Sequence, residues 1–149
     1  MEGTGRVEGI FIGPERTLPA PVDRVRALAG KGLEGNRYFF QSAEPGRALT
    51  LIAAEALEGL EADTGIALTA AESRRNVLTR GIDVNALVGK RFRIGDVECR
   101  GVELCEPCSH LEGVTYPGVL KGLVHRGGLN ADILTDGEIA VGDAIRVEP

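Results

Sequence analysis

Glycine and proline recur along the whole of this sequence, and they limit the folds that the chain can adopt. There are 21 glycines and seven prolines among 149 residues, so long uninterrupted helices are not expected. Short stretches rich in β-branched residues lie between them, a pattern that predicts short strands joined by tight turns. The predicted strands span residues 7–12, 22–29, 48–52, 76–79, 91–94, 97–104, 131–134 and 144–147. Their length and spacing suit a β-barrel.

One pair of strands has a distinct signature. Polar and apolar residues alternate over residues 91–94 and again over 97–99, with Gly95-Asp96 between them, which indicates a β-hairpin. After Gly101 the apolar residues shift from odd to even positions. This shift predicts a β-bulge that changes the direction of the strand leading to Cys105.

Two segments have helical patterns. Apolar residues repeat at helical spacing from residue 53 to residue 60, with three glutamates on the other side. A shorter helix is expected from Pro117, with Val119, Leu120 and Leu123 facing inward. The sequence contains no internal repeat or linker. We therefore expect a single domain over residues 1–149, mainly β with a few short peripheral helices.

Composition and charge narrow the range of partners. A formal net charge of −5 and only 4% aromatic residues argue against a nucleic-acid surface, which needs a basic stripe and stacking rings. The apolar runs are too short to span a membrane. Three cysteines without an N-terminal signal segment are expected to be reduced thiols in a cytoplasmic protein. Recurrent arginines after residue 73 still allow a local anion site.

The densest group of reactive side chains is Cys-Glu-Pro-Cys-Ser-His at residues 105–110. Cys99, Cys105, Cys108 and His110 could bind zinc, but the second half of a zinc motif is missing, and Cys99 fits the buried face of a strand. A redox pair is typical of a helix N-terminus, whereas this motif is expected to follow a strand and enter a loop. A single thiolate that binds a transition metal or carries sulfur is the favoured interpretation.

Three other segments could bind an anion. Residues 30–35 match Gly-x-Gly-x-x-Gly, but the bulky residues that follow are poorly helical, which favours a loop in which Lys31 and Arg37 hold an anion over a dinucleotide site. Arg74-Arg75-Asn76 is either an exposed charged loop or a phosphate site with guanidinium and amide donors. Residues 125–132 form either a simple turn or a set of donors around two glycines.

Five motifs in a fixed order resemble the MOSC domain family, which is named for the C-terminal domain of molybdenum cofactor sulfurases. They are Gly32-Leu33-Glu34-Gly35-Asn36-Arg37-Tyr38, Arg74-Arg75-Asn76, Leu87-Val88-Gly89-Lys90-Arg91 through Ile94-Gly95, Pro107-Cys108, and Gly137-Glu138-Ile139-Ala140-Val141-Gly142-Asp143. The resemblance implies a closed, mostly antiparallel β-barrel. It also implies that one cysteine binds molybdenum cofactor or carries sulfur for it.

The resemblance also assigns residues. In amidoxime-reducing and YiiM-like relatives the matching cysteine ligates molybdenum, which makes Cys108 the implied metal ligand and catalytic residue, with Cys105 an optional neighbour. The residues implied to bind the pterin cofactor or its phosphate are Arg74, Asn76, Arg37, His125, Arg126, Gly127 and Asn130. Relatives often have Gly-Asp-Arg-His where this chain has Asn36 and Tyr38 in place of the carboxylate and imidazole. Proton transfer by those two groups is therefore not expected here.

The implied function is molybdenum-dependent, two-electron reduction of N-hydroxylated or related small molecules. We expect neither a pyridoxal-phosphate desulfurase domain nor an electron-transfer domain within these 149 residues, so a separate redox or cysteine desulfurase partner is expected. One alternative is a non-catalytic carrier of persulfide sulfur or of the cofactor. A further alternative is a zinc-binding or cofactor-free interaction barrel.

Overall fold

The structure is a computed structural model, and it describes residues 4–14, 17–37, 39, 45–107 and 109–148, without the side chains of residues 109 and 110. The strands are β1 (Thr4–Ile12), β2 (Ala20–Val22), β3 (Arg24–Leu28), β4 (Gly32–Leu33), β5 (Leu49–Ala53), β6 (Val77–Arg80), β7 (Arg91–Ile94), β8 (Val97–Leu104), β9 (Leu129–Ile133), β10 (Gly137–Ala140) and β11 (Ala144–Val147). The α-helices are α1 (Ala54–Thr64), α2 (Ala70–Ser73), α3 (Ser109–Val114) and α4 (Val119–Gly122), and a 3₁₀ helix spans Val84–Leu87.

Seven strands close into a barrel, as predicted. Their order is β1, β11, β7, β8, β9, β5 and β6, and β6 pairs again with β1. The neighbours are antiparallel except β5 and β6, which run parallel on either side of the connection that contains α1. β2 pairs with β1 beside the barrel, and β10, β3 and β4 form a separate three-stranded sheet.

The barrel interior is filled with apolar side chains. Phe92, Ile94, Leu51, Val77 and Leu129 are all fully buried members of one cluster, and each such side chain contributes about 1.5–3 kcal/mol through burial. A smaller apolar cluster joins the helices and contains Leu60, Leu68, Leu111, Val119 and Leu123. The barrel therefore forms a rigid support for loops at its rim.

The two detailed strand predictions are confirmed. β7 and β8 form an antiparallel hairpin, and Gly95 turns the chain with a φ of 58°. The pairing of β8 with β9 shifts register between Gly101 and Glu103, which is the predicted bulge. A Cβ atom at Gly101 would collide with the main-chain oxygen of Leu87. Only glycine therefore allows β8 to lie this close to the Leu87 backbone.

The helix at Pro117 is shorter than predicted, and other elements were not predicted. α4 covers only four residues, although Val119 and Leu123 are buried as expected, and Leu120 is half-buried. The expectation that residues 105–110 follow a strand and enter a loop holds for residues 105–107, which follow β8, but not for the end of the motif, because α3 begins at Ser109. The short strands β2, β4 and β10 carry too few β-branched residues to show an alternating pattern. None of the described helices is long and apolar enough to cross a membrane.

Candidate functional site

A cleft of about 390 Å³ opens beside the barrel. Four arginines line it, namely Arg37, Arg47, Arg74 and Arg75. The other polar side chains in its wall are those of Thr50, Glu103, Cys105 and Asn130. We call this cleft the arginine cleft. It brings residues of all three predicted anion-binding segments together with the cysteine segment, which we define as residues 105–107.

Arg74 and Arg75 reach the cleft because the four-residue helix α2 ends at Ser73, directly before them. Thr69 begins α2 with a capping box, in which its hydroxyl accepts from the Glu72 amide and the Glu72 carboxylate accepts from the Thr69 amide. Arg74 ends the helix in the left-handed conformation, with a φ of 62°, which a residue with a Cβ seldom adopts. The turn then leads directly into β6.

Arg74 has one buried polar atom without a partner. Its Nη1 donates to the main-chain oxygen of Thr17 at 3.1 Å. Its Nε is buried and makes no hydrogen bond in the described part of the chain. A buried donor without an acceptor is costly, and an anion in the cleft would supply one.

Arg75 is held by three main-chain oxygens. Nε donates to Gly127 at 2.7 Å, Nη1 donates to Ser73 at 3.3 Å, and Nη2 donates to Cys105 at 3.0 Å. The family resemblance implies a cofactor-binding role for its two neighbours, Arg74 and Asn76, but none for Arg75 itself. Its contacts depend on segments far apart in the chain, so no local pattern could have identified it.

Asn76 is buried, and its side chain holds neighbouring strands together. Its Oδ1 accepts from both the amide and the hydroxyl of Thr50, each at 3.1 Å, and its Nδ2 donates to the main-chain oxygen of Phe11 at 3.1 Å. Asn76 does not line the arginine cleft, whereas Thr50 does. In this structure Asn76 therefore supports the wall of the cleft from behind.

The two described cysteines, Cys99 and Cys105, occupy different environments. Cys99 is fully buried in the barrel core, and burial raises the pKa of its thiol well above the usual range. Cys105 is half-buried and lines the arginine cleft. Cys108, the predicted molybdenum ligand, and the His110 side chain lie outside the described residues. Within the described residues, no three His, Cys, Asp or Glu side chains are close enough to hold a metal ion.

The predicted residues of the 125–130 segment are divided among several places. Asn130 lines the arginine cleft, and Gly127 contacts it indirectly through Arg75. His125 is exposed, and its Nδ1 lies 3.0 Å from the Glu106 carboxylate. Arg126 belongs to a second cleft, where it pairs with Asp63 at 2.9 Å. The structure thus brings only part of this segment to the arginine cleft.

The 30–37 loop reaches the cleft through one residue. Gly32 and Leu33 form β4, and turns follow over residues 34–37. This agrees with the predicted glycine-rich loop, since these residues do not open a helix. Arg37 lines the cleft. Asn36 is buried, and its side chain accepts from the Gly13 amide at 3.4 Å, which ties the loop to the end of β1. Tyr38 lies outside the described residues.

Comparisons with known proteins agree with this fold. The sequence matches the family model described as the MOSC domain over residues 40–146. The structure is similar to the crystal structure of the YuaD protein from Bacillus subtilis, with 17% identity, coverage of 97% of this chain and 95% of that chain, and a TM-score of 0.84.

Two further crystal structures are similar. YiiM from Geobacillus stearothermophilus is 17% identical, with 97% of this chain and 75% of that chain covered and a TM-score of 0.78. YiiM from Escherichia coli is 16% identical, with coverage of 97% and 70% and a TM-score of 0.71. No curated protein matches the sequence at a significant level. At these identities the structural similarity shows a shared fold.

Proposed function

Because the chain belongs to the MOSC domain family, we propose that it binds molybdenum cofactor, with the cofactor's phosphate in the arginine cleft. The family is associated with this cofactor. The observation that carries the proposal is the convergence of four arginines and one thiol on a single cleft of about 390 Å³.

The charges in the cleft fit a phosphorylated ligand. Four guanidinium groups face a single carboxylate, that of Glu103, among the residues that line it. Arg74 and Arg75 donate only to main-chain oxygens in the described residues, so no carboxylate there neutralises them. The Arg74 Nε still requires an acceptor. Arginine matches phosphate oxygens with paired donors, and this donor set suits a phosphate monoester.

The thiols supply the second element of the site. Soft sulfur ligands suit a transition metal held by a pterin, and Cys108 is the residue that matches the family's ligand. Cys105 precedes it by three residues and faces the cleft. When bound, the cofactor would supply two-electron oxo-transfer chemistry. The chain's own residues would hold the phosphate with Arg74 and its neighbours, and would present the thiolate of Cys108.

The proposed reaction is the reduction of a small N-hydroxylated or related substrate with electrons from a separate redox protein. Metal analysis of protein produced in a cofactor-making host tests the proposal. We expect near-stoichiometric molybdenum in the wild type and in Cys105→Ala, and loss of molybdenum in Cys108→Ala. Equal molybdenum in Cys108→Ala and wild type would exclude Cys108 as the ligand.

A carrier of sulfur is the second candidate, because Cys105, a half-buried thiol that lines the arginine cleft, lies only three residues before Cys108 in the sequence. A cysteine persulfide on a desulfurase would transfer its outer sulfur to Cys108, forming a persulfide there and returning the donor cysteine as a thiol. Mass spectrometry after incubation with a cysteine desulfurase and cysteine distinguishes the two functions. An adduct of about 32 Da on Cys108 without bound metal favours the carrier, and bound molybdenum without an adduct favours the enzyme.

A further inference from the structure

Arg75 lies where three separate parts of the chain meet. Its guanidinium donates to the main-chain oxygens of Ser73, Cys105 and Gly127, at 3.3, 3.0 and 2.7 Å. These oxygens belong to the end of α2, the cysteine segment and the glycine loop, which we define as residues 125–128. A guanidinium has five N–H donors in a rigid plane, so three fixed bonds determine the orientation of the group.

The cysteine segment and the glycine loop are also in direct contact. The Cys105 amide donates to the Gly128 oxygen at 2.8 Å. A Cβ on Gly127 would come within 2.6 Å of the Cys105 oxygen and 2.9 Å of the Pro107 ring, so the two backbones can approach this closely only at a glycine. Gly128 has a φ of 118°, which other residues rarely adopt.

A second side chain, that of Glu106, also links the cysteine segment to the glycine loop. Glu106 accepts from the His125 amide at 2.8 Å, and its other oxygen lies 3.0 Å from His125 Nδ1. This pair is exposed, with 78% of the His125 side chain accessible, so it is expected to contribute little to stability. Arg75 is only partly accessible and binds both segments at once, which makes it the stronger link.

We infer that Arg75 is a positioning residue, which holds the backbone of the cysteine segment against the glycine loop so that Cys105 faces the arginine cleft. Cys108 follows directly after the cysteine segment in the sequence. The extension of this inference to cofactor binding therefore rests on the proposed function. Arg75 thus acts on the thiols through the main chain. Arg74, by contrast, faces the same cleft but donates to Thr17 and has no bond to the cysteine segment.

Rates of thiol alkylation test this inference in protein made without molybdenum cofactor. Peptide mass spectrometry follows Cys105 and Cys99 separately in one sample. Cys99 is fully buried in the barrel and reports global unfolding, whereas Cys105 reports the position of the segment. In Arg75→Met we expect Cys105 to react about ten-fold faster than in the wild type, because the segment opens locally while Cys99 stays protected.

Two further variants make the test specific. Arg75→Lys keeps the charge but cannot reach three oxygens at once, so the rate at Cys105 should be intermediate. Arg74→Met removes a guanidinium from the same cleft, and the Cys105 rate should stay within about two-fold of the wild type. If Arg75→Met does not fold, a faster Cys105 rate in Arg75→Lys with Cys99 still protected supports the inference.

Unchanged Cys105 rates in the folded Arg75 variants would overturn the inference. Parallel exposure of Cys99 and Cys105 in both variants would also overturn it, because Arg75 would then stabilise the fold in general. The readout needs no metal. A lack of molybdenum in the protein would therefore contradict the proposed function and leave this result intact.

Discussion

Arg75 donates a 3.0 Å hydrogen bond from Nη2 to the main-chain oxygen of Cys105, a residue 30 positions further along the chain. The bond joins the turn between α2 and β6 to the end of the bulged strand β8. Through it, the basic motif and the cysteine motif become parts of one site. The barrel supplies the rigid frame, since β8 reaches this point only after its register shifts beyond Gly101.

Replacement of Asn76 by alanine should destabilise the protein. The substitution leaves the Thr50 amide and the Phe11 oxygen without their side-chain partner, and we expect the free energy of unfolding to fall by about 3 kcal/mol. Urea denaturation of the purified variant measures this. Asn130→Ala is the control, because Asn130 lines the cleft, and its loss should cost less than about 1 kcal/mol. Equal costs for the two variants would contradict the supporting role of Asn76.

Replacement of Gly101 by alanine should be severely destabilising. The added Cβ would collide with the main-chain oxygen of Leu87, and moving two backbone segments apart is expected to cost about 3 kcal/mol or more. Gly113→Ala is the matched control, since a Cβ there meets nothing within 4 Å and lies in a helix. The control should be neutral or stabilise by about 0.5–1 kcal/mol. Thermal denaturation of both variants checks this prediction, and a Gly101→Ala protein as stable as wild type would refute the assigned backbone contact.

The capping carboxylate of α2 should make stability depend on pH. The Thr69 amide bond, with help from the Tyr116 hydroxyl, lowers the pKa of Glu72 below its ordinary value of 4.5. A carboxylate whose pKa is lower in the folded state stabilises the protein above the unfolded pKa, and this stabilisation is lost as the pH falls through the folded pKa.

Glu72→Gln should therefore be less stable than wild type at neutral pH, by about 0.5–1 kcal/mol. The difference should shrink as the pH falls below 4.5. Urea denaturation over a pH series measures it. Tyr116→Phe removes only one of the bonds to Glu72 and should show a smaller effect. A difference that stays constant from neutral to acid pH would show that the Glu72 charge contributes nothing.

The sequence predicted those parts of the fold that depend on local alternation. The β7–β8 hairpin, the bulge after Gly101 and the buried position of Cys99 are all read from the positions of apolar residues along a strand. The pairing of β10 with β3 has no such signature. β10 has only four residues, of which one is glycine and one is glutamate. Its partner strand, β3, lies more than 100 positions earlier in the sequence.

The arginine cleft was predicted in part. Arg37, Arg74 and Asn130 were implied by motif resemblance and do line it. The contacts of Arg75 were not anticipated, because a guanidinium that bonds to distant carbonyls leaves no trace in local spacing. Arg47 was not anticipated either, because it lies in none of the predicted motifs. Arg126 was assigned to the cofactor, yet its side chain pairs with Asp63 at a second cleft. Side-chain direction at a loop depends on tertiary contacts, and the sequence alone does not specify them.

The molybdenum content of wild-type protein and of Arg74→Met, both produced in a cofactor-making host, tests the central claim most directly. Arg74 carries the buried Nε that lacks a partner in the described residues. Its loss should remove a charge-assisted hydrogen bond to phosphate and lower cofactor affinity about ten-fold or more. We predict near-stoichiometric molybdenum in the wild type and a clear loss in the folded variant after extensive dialysis. Absence of molybdenum from the wild type, or equal retention by both proteins, would contradict the account.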